Sequence, residues 1–312
     1  MSAVGSAAEA TPHVAWRLRA AQRVNAAYGP SPNLAVVAVA GSVGAGLADR
    51  WSDLELDCYW REPPSDDDRR RPARLLQANL GVFWDYDDDE EEWSEGYHLG
   101  PLSVTVSNFT ATSAARFLDA VLNDIDLDPV KHYRLAAIGN GRALRGGPTL
   151  DTWRERLAAY PDALVIAVVE AALDPDRFPG WTARQALAER GDTIAVRCLL
   201  SAIAQGIFRA VLAINRIFQS HQLPKWQQHS VGNLPLRPTR LESRLDDMWY
   251  QRPQVALADA DALIYDTIEL AERQLELRLD RIRVALAEQR HAIEPPASAD
   301  PAIADAQDCN GG

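Results

Sequence analysis

Two acidic residues and a glycine–serine pair stand at a spacing that suits phosphate chemistry. Asp53 and Glu55 are two residues apart, and ten residues separate them from the pair Gly41-Ser42. Residues two apart on a strand point to the same side, so both carboxylates would face one way and could clamp Mg²⁺ between nucleotide phosphates. Gly41 would let the backbone approach a polyphosphate, whose oxygens the Ser42 hydroxyl could hold. The alternative is a hairpin whose polar face meets only water.

Short apolar segments predict the strands that would position these groups. Residues 34–40 form a valine-rich run that leads directly into Gly41, and residues 54–59 begin with an alternation of leucine and acidic side chains. Residues 102–107 alternate apolar residues with Ser and Thr, which predicts a third strand. From Leu150 onward the periodicity is helical, so the fold class is predicted as α+β with an all-helical second half.

Composition and proline positions divide the chain into four predicted parts. We expect an α/β domain over 13–149 and a helical domain over 150–293. Residues 1–12 are small and polar, and residues 294–312 are rich in Pro, Ala and Asp, so both ends are predicted to be disordered. A helix is predicted over 69–80.

Charge and cysteine content argue against several classes of protein. The formal net charge of -12 disfavours a broad grip on nucleic acid, which needs many Lys and Arg residues. Three scattered cysteines are too few for a disulfide framework or a Cys-based zinc site, so we expect a reduced, cytoplasmic protein. No apolar run reaches the ~20 residues that cross a bilayer, and no signal peptide is expected. The segment 85–92, with seven acidic residues among eight, predicts a solvated loop.

The strand at 34–40, the pair Gly41-Ser42 and the stretch Asp53-Leu54-Glu55-Leu56 together resemble the nucleotidyltransferase superfamily. That superfamily includes DNA polymerase beta and the aminoglycoside adenylyltransferases. The resemblance implies a small mixed-sheet domain followed by a mostly helical one. It also implies that Gly41 and Ser42 bind the triphosphate of an NTP and that Asp53 and Glu55 ligate Mg²⁺.

One position departs from the family pattern. The family usually adds a third carboxylate from a later strand, and the matching residue here is Thr105. Threonine does not accept a proton near neutral pH, so a general base would have to come from elsewhere. Asp57, which strand alternation places on the same face as Asp53 and Glu55, is one candidate. Asp192, at the start of a long predicted helix, is the other, and its alternative role is to cap that helix.

The helical half carries a second resemblance. Asn215 and the stretch Leu223-Pro224-Lys225-Trp226 resemble the helical domain of drug-modifying nucleotidyltransferases. This resemblance implies that Asn215 and Lys225 face the cleft, where Lys225 would offset the charge of NTP phosphates. The alternative is a helix end closed by proline, with Lys225 in solvent.

These observations predict metal-dependent transfer of a nucleoside monophosphate from an NTP to a hydroxyl of a small molecule. Aminoglycoside-like antibiotics are one candidate class of acceptor, because an acidic cleft attracts a polycation. One alternative is an enzyme that acts on tRNA ends or on a protein side chain. Another is a non-catalytic module that binds a nucleotide or a partner, which Thr105 motivates. The sequence leaves the acceptor, the preferred base and the oligomeric state open.

Overall fold

The computed structural model describes residues 11–232 and 234–293. It has a six-stranded mixed sheet followed by helices, which confirms the predicted α+β class. Most of the predicted disordered ends, residues 1–10 and 294–312, lie outside the described residues. Thr11 and Pro12 were predicted within the disordered N-terminus but belong to the first helix: the Thr11 side chain caps it by accepting the Val14 amide, and Pro12 is its first residue.

Across the sheet the strands follow the order β3-β4-β5-β2-β1-β6. The strands are β1 (Leu34–Val39), β2 (Leu54–Trp60), β3 (Asn79–Asp87), β4 (Glu92–Leu99), β5 (Leu102–Thr110) and β6 (Arg142–Arg145). The helices of the first half are α1 (Pro12–Tyr28), α2 (Gly41–Gly44), α3 (Asp66–Leu75), α4 (Ala111–Leu122), α5 (Pro129–Asn140) and α6 (Gly147–Leu157). Those of the second half are α7 (Asp162–Ala172), α8 (Arg184–Arg190), α9 (Thr193–Ile214), α10 (Gln227–Gly232), α11 (Leu241–Asp247), α12 (Pro253–Leu275) and α13 (Asp280–Leu286).

One face of the sheet is sealed by α1 and α3. The alternate residues Leu54, Leu56 and Cys58 of β2 are buried on this side, in a cluster that includes Val14 and Val24 of α1. Removing such apolar side chains from water is the main favourable contribution to folding, at roughly 25 cal/mol per Å². This packing determines which side chains of β2 point away from α1 and remain on the opposite face.

The opposite face is apolar only over part of its length. Tyr59 and Phe109, near the ends of β2 and β5, stack on each other, and Tyr59 also lies 4.9 Å from the Trp153 ring of α6, centroid to centroid. Earlier in the same two strands, Glu55 and Thr105 are exposed. The polar residues predicted to do chemistry therefore lie where the packed part of this face ends.

The structure differs from two of the predictions, the helix over 69–80 and the acidic loop over 85–92. Helix α3 ends at Leu75, and β3 and β4 form a hairpin in which the acidic run occupies the end of β3, the turn over 88–91 and Glu92 at the start of β4. Buried Arg69 holds this hairpin, because it bonds to Glu95 at 2.9 Å and to the backbone carbonyls of Trp84 and Ser94. These contacts join residues that are far apart in sequence, so local sequence patterns do not predict them.

The second half is built around α9, whose 22 residues pack against α7 and α12. By length and composition α9 could cross a membrane, but half of its most apolar window is buried inside the protein. Helix α12 ends before Glu276, which adopts a left-handed conformation, and α13 begins at Asp280. The predicted domain boundary at 149 falls within α6, and one hydrophobic core extends to both sides of it.

Candidate functional site

The Gly41-Ser42 pair forms the turn that follows β1 and lies directly against β2. The amide of Ala40 donates to the Glu55 carbonyl at 2.9 Å, and the amide of Gly44 donates to the Ala40 carbonyl at 2.9 Å. Gly41 has a φ of +56°, and a Cβ at this position would lie 1.7 Å from Oε2 of Glu55. Glycine is required on both counts. The Glu55 carboxylate thus lies against the turn that was predicted to hold phosphate.

We expect Gly41→Ala to be more destabilising than an ordinary substitution at a positive φ. Gly191→Ala is the matched control, because Gly191 has a φ of +74° and nothing within 4 Å of the added carbon. The control should show only the cost of a left-handed backbone, roughly 1–2 kcal/mol. Gly41→Ala should lose more, because Glu55 must also move. Urea denaturation measures both losses, and equal losses would contradict the close approach of Glu55.

Asp53 and Glu55 lie side by side at the beginning of β2. Asp53 immediately precedes the strand, Glu55 is its second residue, and both are exposed. Although its side chain reaches solvent, the surrounding protein removes part of the water around Glu55, and this desolvation raises the pKa of its carboxyl. The charge of Asp53 raises that pKa further, whereas Lys225 and Arg134 lower it. Partial burial and a neighbouring like charge both destabilise the charged form of a carboxyl, and a nearby cation stabilises it.

Thr105 occupies the place next to Glu55. Strands β2 and β5 are parallel neighbours, and Glu55 pairs in register with Thr105. Residues paired in this way project to the same face of a sheet, so Thr105 shares the face of Glu55. The following pair on this face is Asp57 with Ser107. The predicted third strand therefore lies beside β2, with a hydroxyl where the resemblance implied a carboxylate.

Asp57 is a buried carboxyl on this same face. Burial raises the pKa of Asp57 to about 7, with a smaller raising effect from Glu55 and an opposing one from Arg134. The Tyr59 hydroxyl donates a long hydrogen bond to Oδ2 of Asp57, at 3.5 Å. A carboxyl with a pKa near neutrality is suited to accept a proton from a hydroxyl at physiological pH. Of the two predicted candidates for the base, Asp57 is the one that lies beside Glu55.

Arg134 was not identified from the sequence. It projects from α5, pairs with Glu90 and Glu92 at 2.7 Å each, and places its guanidinium 4.9 Å from the centre of the Phe109 ring. Its charge also lowers the pKa of Asp57. Two members of the acidic run are therefore paired and not merely solvated. No motif or spacing marks an arginine that meets its partners only through folding.

Lys225 and Asn215 have different roles. Lys225 is exposed, and its positive charge lowers the pKa of Glu55. Asn215 follows the last residue of α9 as its C-cap. Its side-chain nitrogen donates to the Leu236 carbonyl at 2.6 Å, and its side-chain oxygen accepts from the Leu236 amide at 3.1 Å. The side chain of Asn215 therefore holds the following segment in place, in contrast to the cleft-facing role implied by the resemblance.

Asp192 lies at the first turn of α9 and is exposed. Its amide donates to the Leu187 carbonyl, and its carbonyl accepts from the Val196 amide, each at 3.0 Å. These described contacts stay within the helical half and involve neither β2 nor Lys225. A role for Asp192 as the base remains a prediction without a described contact that supports it.

Comparisons with known proteins give a partial picture. Residues 129–227, which include Arg134 and Lys225, match a family described as a domain of unknown function, DUF4037. No curated protein matches the chain. Among solved structures, the chain is similar to a nucleotidyltransferase-like protein from Exiguobacterium sibiricum 255-15. The two share 13% sequence identity with a TM-score of 0.39, over 83% of this chain and 78% of that one.

Proposed function

We propose that this protein transfers a nucleoside monophosphate from an NTP to a hydroxyl of a small-molecule acceptor. The observation that carries the proposal is the approach of the Glu55 carboxylate to Gly41, beside Asp53. A phosphate held at the Gly41-Ser42 turn would lie next to two carboxylates. Reactions of NTPs need such a place, where the charge of the phosphates is both held and neutralised.

Mg²⁺ is the metal that these residues would suit. It keeps several waters and binds proteins through one or two carboxylates together with substrate phosphates, which Asp53 and Glu55 could provide. In the described parts of the chain, no group of three His, Cys, Asp or Glu side chains is arranged to hold a metal without a substrate. When bound with the NTP, Mg²⁺ would neutralise charge that develops on the phosphates.

Two cations lie near the carboxylates and would help to bind the triphosphate. Lys225 is exposed and its charge acts on Glu55 from the helical half, so it would be free to contact the phosphates of a bound NTP. Arg134 is more enclosed and already paired with Glu90 and Glu92. We assign direct phosphate binding to Lys225. We assign to Arg134 the role of lowering the pKa of Asp57 through its positive charge.

Asp57 would act as the general base. The acceptor hydroxyl oxygen forms a bond to the α-phosphorus of the NTP while the bond from that phosphorus to the pyrophosphate oxygen breaks. The hydroxyl proton moves to Asp57, and pyrophosphate leaves with the electron pair of the broken bond. Thr105 faces the same side and would contact the acceptor through its hydroxyl.

Ser42→Ala is expected to weaken NTP binding more than it affects folding. A hydrogen bond to a charged oxygen contributes about 1.5–3 kcal/mol, so NTP affinity should fall roughly 10- to 150-fold. Titration with a fluorescent ATP analogue measures the affinity, and thermal unfolding checks the fold. Unchanged affinity would mean that the turn does not hold phosphate.

Incubation with each of the four α-³²P-labelled NTPs, Mg²⁺ and a panel of small hydroxyl compounds tests the proposal as a whole. Label in a small product, with release of pyrophosphate that EDTA abolishes, is the expected result. Label in added tRNA or in protein would point to a macromolecular acceptor instead. NTP binding with no transfer to any acceptor would favour the second candidate, a non-catalytic nucleotide-binding module, which Thr105 in place of a carboxylate supports.

A further inference from the structure

The sheet face that carries Glu55 and Asp57 extends as far as the edge strand β3, buried at Asp57 and exposed at Glu55, Val82 and Trp84. Two rows of paired residues cross it from β2 through β5 and β4 to β3. We call this surface the shelf. Its rows are Glu55–Thr105–Gly96–Val82 and Asp57–Ser107–Ser94–Trp84.

The opposite face of the same strands is closed. Phe83, between Val82 and Trp84, is covered by the guanidinium groups of Arg69 and Arg70, at 3.9 and 3.8 Å from the ring centre. The two faces of the hairpin therefore differ: one is packed against α3, and the other is left open beside the candidate catalytic carboxylates.

The shelf has a low polar floor and an apolar far side. Small side chains on β4 and β5 make the floor, and Gly96 is so close to Val82 that an added Cβ would lie 2.8 Å from its Cγ2. On the far side, Val82 is 47% exposed and Trp84 is 54% exposed. Three strand intervals of about 4.8 Å place these two residues about 14 Å from β2.

We propose that the shelf binds the acceptor, and that the acceptor is a small molecule that joins a hydroxyl to a planar or apolar ring. The ring would lie on Trp84 and Val82, and the hydroxyl would reach Asp57. This inference rests on the proposed function, because it gives the shelf the second substrate of that reaction. Aromatic rings stack on exposed tryptophan. The small polar residues of the floor leave room for a molecule that reaches from Trp84 towards β2.

A second copy of the chain is a poorer occupant of this surface. Two β3 strands side by side would bring together the exposed carboxylates of Asp85 and Asp87, and like charges opposite each other destabilise strand pairing. An uncharged ring compound meets no such repulsion. The acidic end of β3 therefore disfavours a second copy that pairs along the edge of the shelf.

Fluorine NMR of the full chain labelled with 5-fluorotryptophan tests the proposal directly. The probes are phenyl β-D-glucopyranoside and methyl β-D-glucopyranoside, which share a polyol and differ in the aromatic ring. Trp84→Phe identifies the Trp84 resonance. We expect the phenyl compound to shift that resonance and the methyl compound to leave it in place. Trp84→Ala should weaken binding of the phenyl compound about 2- to 12-fold, the range for one aromatic pair. Tyr250→Ala, which removes an exposed aromatic ring from the helical half, should not.

Three results would overturn the proposal: no shift at Trp84, equal shifts with both probes, or unchanged affinity in Trp84→Ala. Sedimentation velocity can give a fourth. If wild type were a dimer and Trp84→Ala a monomer, the shelf would be an interface with a second copy of the chain. Asp53→Asn separates this inference from the proposed function, since it should stop transfer and keep the Trp84 shift. A Trp84 shift in a wild-type protein that never transfers label would support the shelf and contradict the proposed function.

Discussion

Asp53→Asn and Glu55→Gln are each expected to reduce NTP-dependent transfer about 1,000-fold. Both side chains lie at the beginning of β2, where Glu55 meets the Gly41 turn. A metal ion contributes several kcal/mol to stabilising charge in the transition state, and each 1.36 kcal/mol corresponds to a factor of ten in rate. Both substitutions keep the size of the side chain and remove its charge, so Mg²⁺ affinity should fall while the fold remains.

Asp124→Asn is the matched control for this pair, because Asp124 is an exposed carboxylate in the turn between α4 and α5. It should transfer label at the wild-type rate. Circular dichroism and thermal unfolding confirm that the variants are folded. Mg²⁺ titrations at saturating NTP show whether a higher metal concentration restores part of the activity. Wild-type turnover in both Asp53→Asn and Glu55→Gln would rule out the assigned metal site.

Asp57→Asn is expected to reduce transfer by 100- to 10,000-fold, the usual range for loss of a general base, while NTP affinity stays within a few-fold of wild type. In wild type, kcat/KM should rise with pH and level off above about 7, because only deprotonated Asp57 accepts a proton and its pKa is about 7. The variant should lose this rise. A variant that retained both its rate and its pH profile would assign the base elsewhere, and Asp192→Asn would then be the next variant to measure.

Although Asp57→Asn should lower activity, it should raise the free energy of unfolding at neutral and higher pH. Folding raises the pKa of Asp57 above its ordinary value, so the folded protein holds a proton that the unfolded chain releases between about pH 4 and pH 7. Wild-type stability therefore falls over this range, by up to about 4 kcal/mol from this group. Asp57→Asn removes that fall. Urea denaturation at pH 5 and pH 8 measures the free energy of unfolding of wild type and of Asp57→Asn. If the difference between the two proteins were the same at both pH values, the raised pKa of buried Asp57 would be contradicted.

Local patterns were sufficient for the elements nearest to the candidate site. Strands β1 and β2 were predicted to within one residue at each end, and the start of β5 was predicted correctly although the strand extends three residues further, to Thr110, because each is a short apolar or alternating run. The fold class followed from the change to helical periodicity near Leu150. Strand β3 was missed, because Val82, Trp84 and Tyr86 are all exposed, so the usual alternation of buried and polar residues is absent.

The sequence by itself determined which groups are available: Gly41 and Ser42 in one turn, and two carboxylates at strand spacing, Asp53 just before β2 and Glu55 on it. The tertiary structure decided what surrounds them. Arg134 reaches Glu90 and Glu92 across more than forty residues of chain, and burial alone changes Asp57 from an ordinary acid to one with a pKa of about 7. Spacing along a strand depends on bond geometry within a few residues, whereas desolvation and ion pairing depend on which distant segments pack together.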